Sequence, residues 1–324
     1  MGSGPAVLVT GAAGYVGRLC VAALAKRSEE LSALVALDWV DTEPTERLEG
    51  VVYEQGDICD PGLKDLFARH GIDTVVHLAS IVRAPKGAPD DLAYRVDVLG
   101  TKNVLEACEA VDAKRLIVTS SGAAYGYHPD NPEWLDEEDP LRGNDEFEYS
   151  KHKRIVENML AKWREERPEL KQVVFRPGTV VGPDVHRPVT DLFEKPVMLG
   201  IIGSNSPFVF NWDQDLVACL VDAEFSDKVG IYNQAGDGAL TPREIAKMLN
   251  KPYVPLPAGL VKGLLFALKG LGLTENGPER VKFLRYRPVL SNRRLKEEYG
   301  YVPQLSSREA FELYARARGL LDPA

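Results

Sequence analysis

The chain has 324 residues, with 48 acidic side chains against 39 basic ones and a formal net charge of −9. Its hydrophobic content of 44% and charged content of 27% are those of a soluble globular protein with room for a large core, and they exclude a disordered or collagen-like chain. The acidic balance disfavours a nucleic-acid partner, which needs a basic surface. Cys20, Cys59, Cys108 and Cys219 are far apart and form no Cys-x-x-Cys, so they read as reduced core residues. The histidines show no ligand spacing, and no metal is expected. No basic, apolar leader precedes Ala6, and Ala6 itself breaks the myristoylation pattern, so the expected location is the cytoplasm.

Residues 6–10 are an apolar run, rich in Val and Leu, that predicts a buried strand. Gly11, Gly14 and Gly17 follow as a G-x-x-G-x-x-G turn into an apolar helix over 18–26. Such glycines allow a tight turn, close approach of backbone to a pyrophosphate, and tight helix–strand packing. The helix N-terminus adds free N–H groups and a partial positive charge. A second strand at 34–37 ends in Asp38, 21 residues beyond Gly17, where an acid can hold an adenosine ribose. Together these features predict dinucleotide binding. Trp39 and Val40 beside Asp38 bring no charge to balance a 2′-phosphate, which favours NAD over NADP.

The alternation continues with a strand at 51–54, a helix at 61–70 with Pro61 in its first turn, and a strand at 74–78. A long helix is predicted over 90–111, then a strand at 116–119 ending in Ser120-Ser121-Gly122. The acidic stretch 127–146 reads mostly as a solvated loop, followed by a helix at 147–167 and a strand at 172–175. Repeated β-α units of this length predict an α/β fold with a parallel, doubly wound sheet. Beyond Arg176, prolines punctuate shorter elements, with a helix at 213–224 and a strand at 230–234. Thr241-Pro242-Arg243-Glu244 has the N-cap, first-position proline and acidic third residue of a capping box. The expected division is a dinucleotide-binding domain over 1–180, re-entered near 208–238, and a smaller α+β substrate region over 181–324. The most apolar segment, 259–273, is too short and too charged to span a bilayer, which excludes stable insertion. It reads chiefly as a packed helix, with a substrate flap or membrane-surface contact as alternatives.

Tyr149 and Lys153 are four residues apart at the start of the helix after the fifth strand, so one helical turn brings them to one face. A neighbouring ammonium favours the phenolate form that a tyrosine base requires.

At this point the sequence resembles the short-chain dehydrogenase/reductase superfamily, in its extended branch of epimerases, dehydratases and 3β-hydroxysteroid-dehydrogenase-like enzymes. Besides the glycine turn and the Tyr149–Lys153 pair, the resemblance rests on Asp57-Ile58, His77-Leu78-Ala79, Gly100-Thr101-Lys102-Asn103, Ser120 to Gly126, Arg176-Pro177 and Gly182-Pro183. It continues in 233–238 and 291–303. It implies a Rossmann domain with NAD as cofactor and a small-molecule substrate. It also implies Tyr149 as general acid/base, Lys153 favouring its phenolate and holding the nicotinamide ribose, and Ser121 bonding the substrate oxygen. The implied cofactor contacts are Gly11, Ala13, Gly14, Tyr15 and Val16 in the turn, then Asp38 and Trp39. Asp57 and Ile58 would flank adenine, and Leu78, Ala79, Ser80 and Thr119 would line the groove. Pro177 and Gly178 would border the nicotinamide. Substrate contacts are expected at Arg83, Ser121, Tyr125, Thr179 and Trp212. A homodimer through the helices at 90–111 and 147–167 follows from the same resemblance.

Several positions depart from the pattern. Asp97 replaces an asparagine that in relatives can both donate and accept. Thr179, Phe208 and Trp212 stand where nucleotide-sugar enzymes commonly place Asn, Arg and His. The leading expectation is therefore an NAD-dependent oxidoreductase interconverting a secondary alcohol and a ketone on an apolar substrate that lacks a nucleotide diphosphate. Its basis is Phe208, Phe210 and Trp212 as aromatic substrate surface, with helix 259–273 able to close over it. The alternative is a nucleotide-sugar epimerase or dehydratase with tightly bound NAD, for which Arg83, Arg187, Arg285 and Arg287 are possible phosphate ligands. An NAD-sensing regulator is the non-enzymatic rival.

Overall fold

The computed structural model describes residues 4–85, 87–185, 190–274 and 277–322. In chain order the elements begin β1 (Ala6–Thr10), α1 (Tyr15–Ala25), β2 (Ala33–Asp38), β3 (Val52–Gln55), α2 (Leu63–His70) and β4 (Thr74–His77). Then come α3 (Leu92–Tyr94), a π-helical stretch Arg95–Gly100, α4 (Thr101–Ala110), β5 (Arg115–Thr119), α5 (Glu148–Glu166) and β6 (Lys171–Pro177). The remainder comprises β7 (Thr179–Val181), α6 (Asp191–Glu194), β8 (Met198–Ile201), β9 (Phe210–Trp212), α7 (Asp213–Glu224) and β10 (Gly230–Gln234). It ends with α8 (Pro242–Met248), β11 (Tyr253–Leu256), α9 (Ala258–Gly270), α10 (Arg280–Arg285) and α11 (Ser307–Ala317). No helix among the described residues is long and apolar enough to cross a membrane.

Two compact units divide the chain: Met1–Ala124, Phe147–Arg176 and Gln214–Tyr232 form the first, and the remaining segments form the second. The first is built on a seven-stranded sheet of order β10-β6-β5-β4-β1-β2-β3. Its strands from β3 to β6 pair in parallel, as the expected doubly wound sheet requires. The chain runs outward from β1 through β2 to β3 and then crosses back to place β4 on the other side of β1, and this reversal beside β1 opens the crevice where such sheets bind ligands. β1 and β4 are buried along their whole length, because helices cover both faces and every side chain meets apolar neighbours. The main core joins Leu8, Val35, Val75, Leu116 and Val174 of the strands to Phe67, Leu105 and Leu160 of the helices.

Local details differ from the sequence reading. α1 starts at Tyr15, directly after Gly14, whose extended backbone makes it the cap residue. α2 starts at Leu63 with Gly62 as its cap, so Pro61 precedes the helix and is not in its first turn. The helix expected over 90–111 is interrupted by the π-helical Arg95–Gly100, where the Thr101 hydroxyl donates to the Asp97 carbonyl at 2.6 Å. One wide turn here faces Asp97 inward.

The second unit has a separate aromatic core in which Phe193, Phe208, Phe210, Phe311 and Tyr314 are buried together. Phe208 and Phe210 stack at 5.6 Å between ring centres. The capping box expected at α8 forms, with Thr241 Oγ1 accepting from Glu244 N and Glu244 accepting from Thr241 N. A second box, Ser306 with Glu309, opens α11. Stretch 127–146 is not simply a solvated loop: Leu135, Glu137 and Asn144 are buried, and Leu135 exchanges backbone bonds with Val289 and Ser291. β8 and β11 form a small parallel sheet, over which α9 packs Val261 and Leu265 in one cluster with Ile201 and Val281.

Candidate active site

The glycine turn is shaped by steric demand. Gly11 has φ +71°, and a Cβ there would lie 2.6 Å from the Ala79 backbone nitrogen. A Cβ at Gly17 would lie 2.0 Å from the Gly11 carbonyl oxygen. Side chains are thus excluded where the turns after β1 and β4 meet and where α1 meets the turn. Among the described residues no side chain caps α1, so its first N–H groups remain available to an anion.

The turn forms one wall of a groove of about 320 Å³, with Gly14, Asp38, Asp57, Ile58, Ala79 and Ser80 among its lining. Ala13, Trp39 and Leu78 also face it, whereas Tyr15 and Val16 stand beside it as the first residues of α1. Asp38 is fixed at the end of β2: one carboxylate oxygen accepts from Ala13 N at 2.9 Å and the other from Val40 N at 3.1 Å. Asp57 accepts from Cys59 N at 2.8 Å, and Ile58 lies under Gly100, where a Cβ would come within 2.5 Å. A narrow groove with a glycine wall, an uncapped helix N-terminus and a ribose-height carboxylate fits a dinucleotide.

Behind the groove runs a buried polar chain. His77 Nδ1 lies 2.7 Å from Thr10 Oγ1, and His77 Nε2 lies 3.0 Å from Thr101 Oγ1. Since the Thr101 hydroxyl proton goes to the Asp97 carbonyl, Thr101 accepts from Nε2–H, and Nδ1 must accept from Thr10. Burial, reinforced by the Lys153 charge and opposed by Asp97, pushes His77 down to about 3. Asp97 itself is buried and fully engaged. Its carboxylate accepts from Ser80 Oγ at 2.9 Å and Ile81 N at 2.8 Å, and faces His152 Nδ1 at 3.3 Å. The expected loss of a donor at this position is therefore met by an acceptor role that ties the groove wall to α5.

Tyr149 and Lys153 lie in the first turns of α5, with the Lys153 Nζ 5.6 Å from the Tyr149 ring centre. Lys153 is buried and donates to the Thr119 carbonyl at 3.2 Å. Ser121 follows β5, accepting from Ala123 N at 3.1 Å; its own hydroxyl proton has no acceptor among the described residues. Ser150 anchors α5 to the same turn through a 2.6 Å bond to the Ala123 carbonyl. Ser120 points away to Glu157 at 2.5 Å, and Glu157 pairs with Arg176 at 2.6 Å, both being buried.

In the second unit, Gly178 and Thr179 are held by backbone bonds to Gln234 and Val209. A Cβ on Gly178 would meet Val209 at 2.9 Å, and Pro177 ends β6. Tyr125 is fully buried, its hydroxyl 2.8 Å from Asn233 Oδ1 and 3.0 Å from the Asp136 carbonyl. It is spent on holding the 125–146 segment, so no face of it is left for a substrate. Phe208 and Phe210, expected as aromatic substrate surface, belong to the core. Trp212 lies partly buried at that core's edge, its indole N–H without a partner among the described residues. Arg83 is exposed on the surface of the first unit; Arg187 lies outside the described residues.

Two residues gain significance only in three dimensions. Asn211, absent from the sequence reading, is wholly buried with neither amide atom partnered among the described residues. Arg287 lays its guanidinium 3.8 Å over the Phe208 ring and 4.9 Å from Phe283. It donates to the Ser206 carbonyl at 2.7 Å, and no carboxylate is paired with it among the described residues. Burial pushes it down to about 9, with Tyr127 opposing.

The profile of the NAD dependent epimerase/dehydratase family matches residues 7–197. An uncharacterized protein of Mycobacterium tuberculosis is 26% identical over 323 residues, covering 98% of this chain and 86% of its own. The UDP-glucose 4-epimerase of Halalkalibacterium halodurans is 32% identical over 182 residues, 55% of this chain and 52% of that enzyme. The crystal structure of Thermus thermophilus UDP-glucose 4-epimerase in complex with NAD superposes with a TM-score of 0.73 at 25% identity, covering 97% of this chain and 99% of that one. With the glycine turn, Asp38 and the Tyr149–Lys153 turn in the places described, the chain belongs to the NAD-dependent epimerase/dehydratase family, enzymes of the extended short-chain dehydrogenase/reductase type.

Proposed function

We propose that this protein is a nucleotide-sugar epimerase or dehydratase, in which oxidation of one sugar hydroxyl is transient and the NAD is regained unchanged. The observation that carries the substrate class is Arg287, a half-buried guanidinium held against Phe208 with no carboxylate partner among the described residues. A diphosphate supplies the missing anion, and two of its oxygens can accept together from the planar arginine fork. The contrary case for an apolar substrate loses its support, because Phe208 and Phe210 are core and the exposed leucines of α9 point to solvent. The relatives named UDP-glucose 4-epimerase favour the same substrate class.

NAD, when bound in the groove of the first unit, supplies the hydride acceptor and donor. Asp38 would accept from the adenosine ribose hydroxyls, and the first N–H groups of α1 would receive the pyrophosphate. Tyr149 removes the proton from the reacting hydroxyl as the carbonyl forms, and returns it on reduction. Lys153, one turn along α5, would hold the nicotinamide ribose, and Ser121 donates its free hydroxyl proton to the substrate oxygen. The first unit serves the cofactor and the second the sugar nucleotide, with pairs of chains associating through the exposed Tyr94 and Leu99 of the helix that contains Asp97.

The test incubates the purified chain, without added cofactor, with UDP-glucose, UDP-N-acetylglucosamine and dTDP-glucose, following products by chromatography and 340 nm absorbance. An epimer or 4-keto product without net NADH supports the proposal. Steady NADH formation from simple secondary alcohols, with no sugar-nucleotide turnover, would replace it with the net dehydrogenase. Sedimentation velocity showing only monomer at micromolar concentration would remove the dimer.

A further inference from the structure

α9 presents an uncommon surface. Leu260, Leu264 and Phe266 are 59%, 53% and 73% exposed, and Leu271 and Leu273 just beyond the helix are 72% and 70% exposed. Scattered exposed leucines need no explanation, but a contiguous apolar patch does. With 100° per residue, Val261 and Leu265 take the packed face, Leu260, Leu264 and Leu271 one flank, and Lys262, Phe266 and Lys269 the other. On the same face of the small sheet as the covered Ile201 and Leu256, Leu199 and Val254 remain exposed and pair across the strands.

Charge selects the occupant. The 24 residues from 251 to 274 contain Lys251, Lys262 and Lys269 and no acidic residue, in a chain with 48 acids. Lys269 lies 4.0 Å from Glu279, an exposed and weak pairing. A second copy of α9 would bring lysines to lysines. It would also find no knobs, because the outermost line of the helix is Gly259, Gly263 and Gly270, where an added Cβ meets nothing within 4 Å. Phe266, at the edge of that line, prevents close backbone approach. A fluid acyl layer needs no complementary shape, and anionic headgroups meet the lysines while their methylene stems follow the apolar surface. The helix has 13 residues, about 20 Å at 1.5 Å per residue, short of the roughly 30 Å hydrocarbon layer.

We propose that α9, with Leu199 and Val254 beside it, is a peripheral docking surface that lays this protein on anionic phospholipid bilayers without crossing them.

The test sediments the full chain with sucrose-loaded vesicles of phosphatidylcholine alone or mixed with phosphatidylglycerol. Binding is expected to the mixed vesicles, weakened by salt. The double variant Leu264→Ser/Phe266→Ser should bind at least about tenfold more weakly, the scale expected from withdrawing two large side chains from lipid, with an unchanged melting temperature and unchanged NAD binding. Phe266→Trp should show a blue-shifted emission on adding mixed vesicles. Absence of binding to the mixed vesicles overturns the proposal, as does equal binding by the double variant. A concentration-dependent dimer that Leu264→Ser disperses, with no vesicle binding, assigns the surface to a second copy instead.

Discussion

The buried Glu157–Arg176 pair carries a large expected effect on stability. Both side chains are 3% exposed; Arg176 Nε contacts both Glu157 oxygens at 2.9 Å, one terminal nitrogen lies at 2.6 Å, and Ser120 Oγ adds a 2.5 Å bond. Glu157→Ala leaves a desolvated guanidinium without its counter-charge, which costs about 3–5 kcal/mol. It also strands the Ser120 hydroxyl, for about 1–3 kcal/mol more if no water enters. Against a typical total of about 5–15 kcal/mol, the variant should be marginal, its urea midpoint at pH 7 falling by the equivalent of at least about 3 kcal/mol. The companion Glu157→Leu/Arg176→Met removes both charges and should recover most of that loss, because apolar replacement of a buried pair is close to neutral. A Glu157→Ala midpoint within about 1 kcal/mol of the parent, or a double variant no more stable than the single one, would refute the reasoning.

Other outcomes test the site and the fold. Tyr149→Phe should preserve NAD binding, measured by fluorescence quenching, and lose at least about 10²-fold in turnover; Lys153→Met should weaken both. Asp38→Ser should narrow the preference for NADH over NADPH in the same titration, since a 2′-phosphate then meets no carboxylate; an unchanged preference would remove Asp38 from cofactor choice. Gly17→Ala should abolish NAD binding, because its Cβ would sit 2.0 Å from the Gly11 oxygen. Burial pushes the Glu224 carboxyl up from 4.5 to about 8, against Arg115 and with Asp73. Its neutral form therefore favours folding most fully below about pH 4.5, and that contribution falls as pH rises through about 8. Glu224→Gln keeps the neutral form, so its thermal stability should gain on the parent from about pH 5 and level off above about pH 8, by roughly a few kcal/mol at the upper end. Parallel curves would overturn that assignment.

The parts legible in the sequence are those fixed by short spacing. Gly11, Gly14 and Gly17, Asp38 at a strand end, and Tyr149 one turn from Lys153 each encode their geometry within a few bonds of the chain. The seven-stranded sheet was legible because β-α alternation has few topological solutions. What depended on distant partners was not. Phe208 and Phe210 share one side of β9 and its approach, and only the location of Phe193 and Phe311 decides that this side faces inward. Asp97 reads as a lost donor until His152, 55 residues away, stands beside it. Arg287 reads as one arginine of several until Phe208 and Ser206 hold it. The acidic run 127–146 hides the buried Leu135 because its backbone partners, Val289 and Ser291, lie more than 150 residues further along the chain.

The polar chain through His77 has a spectroscopic consequence. Because the donors run one way, from Thr10 to Nδ1 and from Nε2–H to Thr101 and on to the Asp97 carbonyl, one tautomer is enforced. A ring pushed down to about 3 stays neutral through the whole range in which other imidazoles titrate. In a long-range ¹H–¹⁵N spectrum His77 should thus give a single Nε2–H pattern with a flat pH response and a slowly exchanging ring proton. That resonance joins β1, β4 and α4 in one signal, and its loss marks their separation.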